Sequence, residues 1–271
     1  WRMTISLLRY RKRKFHHPKI ERSQYEGLNG SCPPVKIISP IKCRNYYIIL
    51  YPGASPDAEK HPQMEMLGII LAQNGYKVFI PRIPPLKRLD ISSVNVEWFV
   101  CFYKWLIDKH KLDPHNIAMV GMSYGGGIML KASLQLKEYL SPRTLLITHG
   151  TYADAESTLR FLLSGEISYL GNKYKIKPHG WGLIVIFQNY LNNIDLDWDT
   201  TGIQEVLGLE IQGKFDNRDK VISKLPRFQQ NIVNSVISGK RTEKIIDLCK
   251  QMMLNEISTL QDLSPKYWCY K

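Results

Sequence analysis

The chain has 271 residues and a formal charge of +13, with 44% of its residues hydrophobic and 23% charged. This composition excludes disorder and collagen-like repeats, and a chain of this length can build a core without a disulfide or metal staple. The charge is uneven: residues 1–22 hold Arg2, Arg9, Arg11, Lys12, Arg13, Lys14, Lys19 and Arg22 against the single acid Glu21, a net +7 that leaves +6 for the other 249 residues.

That distribution speaks for a basic arm on a near-ordinary body and against a nucleic-acid partner. The arm follows the short, largely apolar stretch Trp1-Arg2-Met3-Thr4-Ile5-Ser6-Leu7-Leu8. Basic residues after an apolar stretch suit association with the cytoplasmic face of a membrane. A solvated charge run fits as well, since these few residues cannot span a bilayer of ~30 Å. The five cysteines (Cys32, Cys43, Cys101, Cys249 and Cys269) form no C-x-x-C pair. Their spacing predicts neither a zinc site nor a disulfide framework, and it suits a reducing, cytoplasmic compartment.

Residues 21–40 are rich in Pro, Gly and Ser and read as a covering segment with one short strand at 35–38. Tyr46 to Tyr51 is an apolar run ended by Pro52-Gly53, which predicts a buried strand and a turn. Residues 64–74 carry apolar side chains at helical spacing and stop at Gly75; a strand follows at 77–81 and a helix at 94–110. Then come a strand at 116–120, a helix at 126–139 and a strand at 144–148. Alternation of this kind predicts a doubly wound, mostly parallel α/β sheet with right-handed crossovers. From Ala155 the pattern is helical without intervening strands, with helices expected at 182–191, 203–209, 221–238 and 242–257 and a polar connection at 214–218. The expected organisation is a basic arm and covering segment over 1–40, an α/β core over 41–154, a helical cap over 155–262 and a lead-in to a further strand over 263–271.

Chemistry concentrates in Gly121-Met122-Ser123-Tyr124-Gly125-Gly126-Gly127. G-x-S-x-G is a short pattern, but here a strand enters it and a helix leaves. A chain that turns from strand to helix within one residue forces the serine into a strained conformation, and flanking glycines remove Cβ atoms that would collide. The hydroxyl then stands at the positive end of the following helix, where developing negative charge is stabilised. A phosphate-binding turn is the alternative, but neither G-x-G-x-x-G nor G-x-x-x-x-G-K-[ST] matches.

On these residues the chain resembles the α/β-hydrolase superfamily, over roughly 45–154. Asp113-Pro114-His115-Asn116-Ile117-Ala118 looks like the loop and strand that deliver the nucleophile in esterase-like and S33 peptidase-like members. Gly121 to Gly126 matches the nucleophile elbow. Tyr51-Pro52-Gly53-Ala54 occupies the place of the family's H-G-x oxyanion loop, with Tyr-Pro instead of the usual histidine. The resemblance implies Ser123 as catalytic nucleophile, an oxyanion hole made by the backbone N–H groups of Ala54 and Tyr124, a small-molecule acyl substrate, and no cofactor or metal. The implied reaction is hydrolysis of a carboxylic ester or related acyl bond through an acyl-serine. A peptidase or thioesterase of the same fold and a non-catalytic scaffold are the alternatives.

The family order is Ser, then Asp or Glu, then His. Only His149 and His179 follow Ser123. His149 ends a strand before any acid and reads as a lining or packing residue, while His179 falls at the start of the helical stretch. Asp154 is a candidate acid, or else a helix N-cap. The missing order, together with the start at Trp1, predicts a fragment whose acid and histidine lie past Lys271 and which alone is nearly inactive.

Overall fold

The structure is a computed structural model that describes residues 17–178, 180–255, 261, 262, 264 and 265. The described residues form two compact units, one of 17–87 and 93–151, the other of 88–92 and the residues from 152 onward.

The first unit is a six-stranded sheet in the order β1-β2-β4-β3-β5-β6. The strands are β1 (Lys19–Gln24), β2 (Pro34–Ser39), β3 (Tyr46–Tyr51), β4 (Tyr76–Pro81), β5 (Ile117–Met122) and β6 (Leu145–His149). β1, β2 and β4 pair antiparallel, whereas β4, β3, β5 and β6 run parallel. Helices α1 (Pro62–Gln73), α2 (Pro84–Lys87), α3 (Val94–His110) and α4 (Tyr124–Gln135) supply the connections. The expected doubly wound, mostly parallel sheet is therefore present, with an antiparallel edge made by β1 and β2.

Burial explains why the central strands read so clearly in the sequence. Ile48 and Leu50 of β3, Val78 and Ile80 of β4 and Val120 of β5 join one apolar cluster with Met64, Ile69 and Leu71 of α1. On the alternate positions, Tyr51 stacks on Phe99 of α3 with ring centroids 4.1 Å apart, and its hydroxyl donates to the Phe99 carbonyl at 3.0 Å. A strand segment covered on both faces must be apolar at every position, as β3 is from Ile48 to Tyr51.

One correction concerns the N-terminal region. Lys19–Gln24, which the charge count places in the arm and covering segment, is a strand paired with β2 from Lys19↔Ser39 to Gln24↔Pro34. Every residue of β1 is exposed, so no alternation of burial announces it. Its charged side chains suit a sheet edge that must not recruit further strands.

The loop from β3 to α1 is tied to the end of β4 by a buried ion pair. Arg82 donates from Nε to Glu59 Oε2 at 2.9 Å and from a terminal nitrogen to Oε1 at 2.6 Å, while Glu59 is only 4% exposed. Tyr25 adds a hydrogen bond to the Arg82 carbonyl at 2.7 Å. Arg82→Met strands the Glu59 carboxylate in the interior and should cost about 3 kcal/mol, the low end for breaking such pairs because the guanidinium keeps some solvent. Urea unfolding of the two proteins checks this; an unchanged midpoint contradicts it.

The second unit contains α5 (Ala155–Ser164), α6 (Gly182–Tyr190), α7 (Thr201–Ile211), α8 (Phe215–Ile222), α9 (Arg227–Ser238) and α10 (Glu243–Asn255). Its core takes Leu159, Phe187, Val206, Leu207, Val233, Val236 and Leu248, each on the inner stripe of its helix. Residues 88–92 belong to this unit: the Asn189 side chain accepts from the Ile91 N–H at 3.0 Å and donates to the Leu89 carbonyl at 2.9 Å.

Three expectations fail here. The region is not purely helical, since β7 (Glu166–Tyr169) and β8 (Asn172–Lys175) form an antiparallel hairpin. Residues 214–218 are no loop, because α8 starts at Phe215. The single helix expected over 221–238 is two, with Pro226 in extended geometry (φ −55, ψ 146) capping α9. The ring of Pro226 also biases Leu225 away from helical backbone, so no helix runs through from α8 into α9.

Candidate functional site

Ser123 is the single residue between β5 and α4, and it holds φ 50 and ψ −128. An L-residue with a Cβ adopts that conformation only where its surroundings impose it, at a cost of about 1–3 kcal/mol. Backbone hydrogen bonds on both sides impose it here. The Ser123 N–H donates to the His149 carbonyl at 2.8 Å, and its own carbonyl accepts from the Gly126 N–H at 3.0 Å and from Thr151 Oγ1 at 2.5 Å. The result is an exposed serine immediately before the positive end of α4.

Three of the motif's four glycines are sterically required. A Cβ on Gly121 would lie 2.5 Å from the Gly126 Cα, one on Gly125 2.1 Å from the Pro52 carbonyl oxygen, and one on Gly126 2.4 Å from Thr151 Oγ1. These contacts describe three chain segments meeting at Ser123: the elbow, the end of β6 and the loop after β3. A Cβ on Gly53 would stand 3.1 Å from the Ser123 Cβ, so the backbone that carries Ala54 runs directly beside the serine. Ala54 is half-buried, and among the described residues its N–H makes no hydrogen bond. Tyr124 is the first residue of α4. The structure thus brings together Ser123, Tyr124 and the Gly53-Ala54 backbone.

The other candidates fall as follows. His149 is paired in register with Met122, and its exposed ring makes no hydrogen bond among the described residues. Asp154 occupies the N-cap of α5 in the helical unit. Ser264 donates to its Oδ1 at 3.4 Å and accepts from the Ala155 N–H at 2.8 Å. His179 and residues 1–16, 263 and 266–271 lie outside the described residues. The Ser123 hydroxyl makes no hydrogen bond among the described residues. Nor does any group of three or more His, Cys, Asp or Glu among them lie close enough together to hold a metal ion. In the loop before β5, the Asp113 carboxyl is held below the ordinary carboxylate range by hydrogen bonds from the His115 backbone N–H and ring.

Thr151 is the neighbour of Ser123 that sequence reasoning missed. Its hydroxyl reaches a carbonyl 28 positions away, and no spacing rule connects the two. Thr151→Val keeps the shape and removes that hydrogen bond, so it should cost about 1 kcal/mol of stability. Thermal unfolding of the variant measures the loss. A melting curve superimposable on the parent's contradicts the anchoring role.

A mixed, mostly parallel sheet wound on both faces, with a strained exposed serine between β5 and α4, fits an incomplete α/β-hydrolase fold. Solved structures with similarity to the chain include a dienelactone hydrolase from Anabaena variabilis (17% identity, TM-score 0.43, covering 52% of this chain and 68% of that one). They include an acylaminoacyl peptidase from Pyrococcus horikoshii (13%, TM-score 0.40, 56% and 26%) and an alpha/beta hydrolase from a Penicillium species (15%, TM-score 0.42, 54% and 51%). The chain spans about a quarter of the peptidase's length and about half of the Penicillium protein's. No protein-family model matches the sequence, and no curated protein is similar enough to be matched. Among the described residues no helix is long and apolar enough to cross a membrane.

Proposed function

We propose that the protein is a serine hydrolase that cleaves a carboxylic ester or related acyl bond, with Ser123 as nucleophile. The observation that carries this reading is the backbone of Ser123, held at φ 50 between β5 and α4 with its side chain exposed and the Gly53-Ala54 backbone alongside.

In the proposed reaction Ser123 Oγ bonds to the acyl carbon as its proton passes to a base. The carbonyl oxygen takes the negative charge, and the N–H groups of Ala54 and Tyr124 donate to it. Removing one such donor from comparable sites costs ~3–4 kcal/mol of transition-state stabilisation. Collapse of the intermediate expels the alcohol with the transferred proton, and water then cleaves the Oγ–acyl bond to release the acid. An oxygen nucleophile of this kind needs an imidazole base oriented by a carboxylate.

Hydrolysis of a p-nitrophenyl ester by the intact protein tests the reading. The expected result is a burst of nitrophenol stoichiometric with protein, followed by slower turnover as the acyl-serine is hydrolysed. Release no faster than in buffer, with neither burst nor turnover, overturns the enzyme reading and favours a scaffold that binds without catalysis.

A further inference from the structure

The helical unit carries one element that the proposed reaction does not use, the hairpin β7–β8. Its register pairs Glu166↔Lys175, Ile167↔Tyr174, Ser168↔Lys173 and Tyr169↔Asn172. Side chains alternate across a strand, so Ile167, Tyr169 and Tyr174 share one face while Glu166, Ser168, Lys173 and Lys175 share the other. The turn residues Leu170 and Gly171 both hold positive φ, 49 and 78. Such two-residue turns favour Asn or Asp followed by Gly. Here a leucine takes the first place, with its side chain 82% exposed, next to Tyr169 at 65%. Tyr174 and Ile176 are also exposed, as are Lys173, Lys175 and Lys177. Neither turn geometry nor core packing accounts for an apolar residue at that tip.

We propose that this hairpin docks the protein on the surface of an anionic lipid bilayer. Leu170, Tyr169, Tyr174 and Ile176 enter the boundary between headgroups and acyl chains, and Lys173, Lys175 and Lys177 meet the lipid phosphates. Three observations favour lipid over a protein groove. Exposed tyrosines flank an apolar tip, the arrangement suited to a region that is wet on one side and oily on the other. The three lysines against one glutamate match a negatively charged surface, and their long stems let the ammonium groups rise to the phosphates while the opposite face goes down. Strands of four residues are ~13 Å long, comparable with the depth over which an interfacial element sits.

Co-sedimentation of the intact protein with vesicles tests the proposal, using phosphatidylcholine alone and phosphatidylcholine with phosphatidylserine at two to one. Two variants are compared with the parent: Tyr169→Ser with Leu170→Asp, and Lys173→Gln with Lys175→Gln and Lys177→Gln. Circular dichroism verifies that each is folded, which exposed tip positions permit. The expected result is binding to the phosphatidylserine vesicles that falls roughly tenfold in the first variant, the factor that burying one leucine side chain commands. The second variant should bind more weakly and with less dependence on salt. Three results overturn the proposal: a parent that binds neither vesicle, variants that bind as tightly as the parent because the basic residues near the N-terminus carry the attraction, and a tip variant that loses self-association instead of lipid binding.

Discussion

Gly125→Ala is expected to destabilise the sheet unit by about 4 kcal/mol or more, beyond the range of ordinary single substitutions. The added methyl carbon would lie 2.1 Å from the Pro52 carbonyl oxygen and 2.9 Å from the Pro52 carbonyl carbon. Both atoms are backbone, so no side-chain rotation can relieve the clash. Either α4 moves away from the β3 loop or that loop moves away from α4. The first breaks the short connection through Ser123, and the second pulls at a loop that the Glu59–Arg82 pair holds to β4. Overpacking of a tight core costs about 1–3 kcal/mol even where side chains can shift. Chemical denaturation measures the change, and a Gly125→Ala protein as stable as its parent would mean that the loop does not approach the helix as described.

The second large effect concerns Ser123 and runs in opposite directions for activity and stability. Ser123→Ala removes the proposed nucleophile and should lower ester turnover about 10⁴-fold or more, as loss of the attacking hydroxyl does in serine hydrolases. Ser123→Gly should abolish turnover equally, yet it relieves the strain at φ 50. Its folded state should gain about 1 kcal/mol, because glycine reaches that conformation without a Cβ clash, offset in part by the greater freedom of glycine in the unfolded chain. A nucleophile position that is more stable as glycine identifies a serine kept there for chemistry. If Ser123→Gly destabilises the protein, the serine is serving the fold instead.

How far the sequence could be read depended on what each segment buries. β3 and α3 have the bounds expected of them, because each is apolar in its own period; Pro52-Gly53 ends the strand visibly in the sequence, whereas the stop of α3 at left-handed Lys111 shows only in the structure. The elbow was legible for a different reason: three glycines around one serine have no purpose unless backbones meet there, and they do. Helix α4 starts earlier than its apolar pattern suggests, at Tyr124, since the glycines that open it have no side chains to show a period.

What stayed hidden has physical causes too. β1 is exposed at every position and half of its residues are charged, so it is held by its pairing with β2 and leaves no trace in hydrophobic periodicity. The β7–β8 hairpin is short and exposed, and its turn residues Leu170-Gly171 lack the usual Asn or Asp. The apolar residues on either side of Pro226 continue one helical period, so the break between α8 and α9 is not marked by periodicity. The anchoring of Ser123 by Thr151 and the His149 carbonyl depends on β6 lying beside β5, a tertiary pairing that no local signal encodes.

The central claim is that Ser123 is a nucleophile, and one measurement addresses it most directly. The intact protein is treated with a fluorophosphonate, digested, and the adduct located by mass spectrometry. The account predicts phosphonylation at Ser123 in the folded protein, abolished by Ser123→Ala and by prior unfolding. A folded protein that carries no adduct at Ser123, or carries it equally on other serines, contradicts the account.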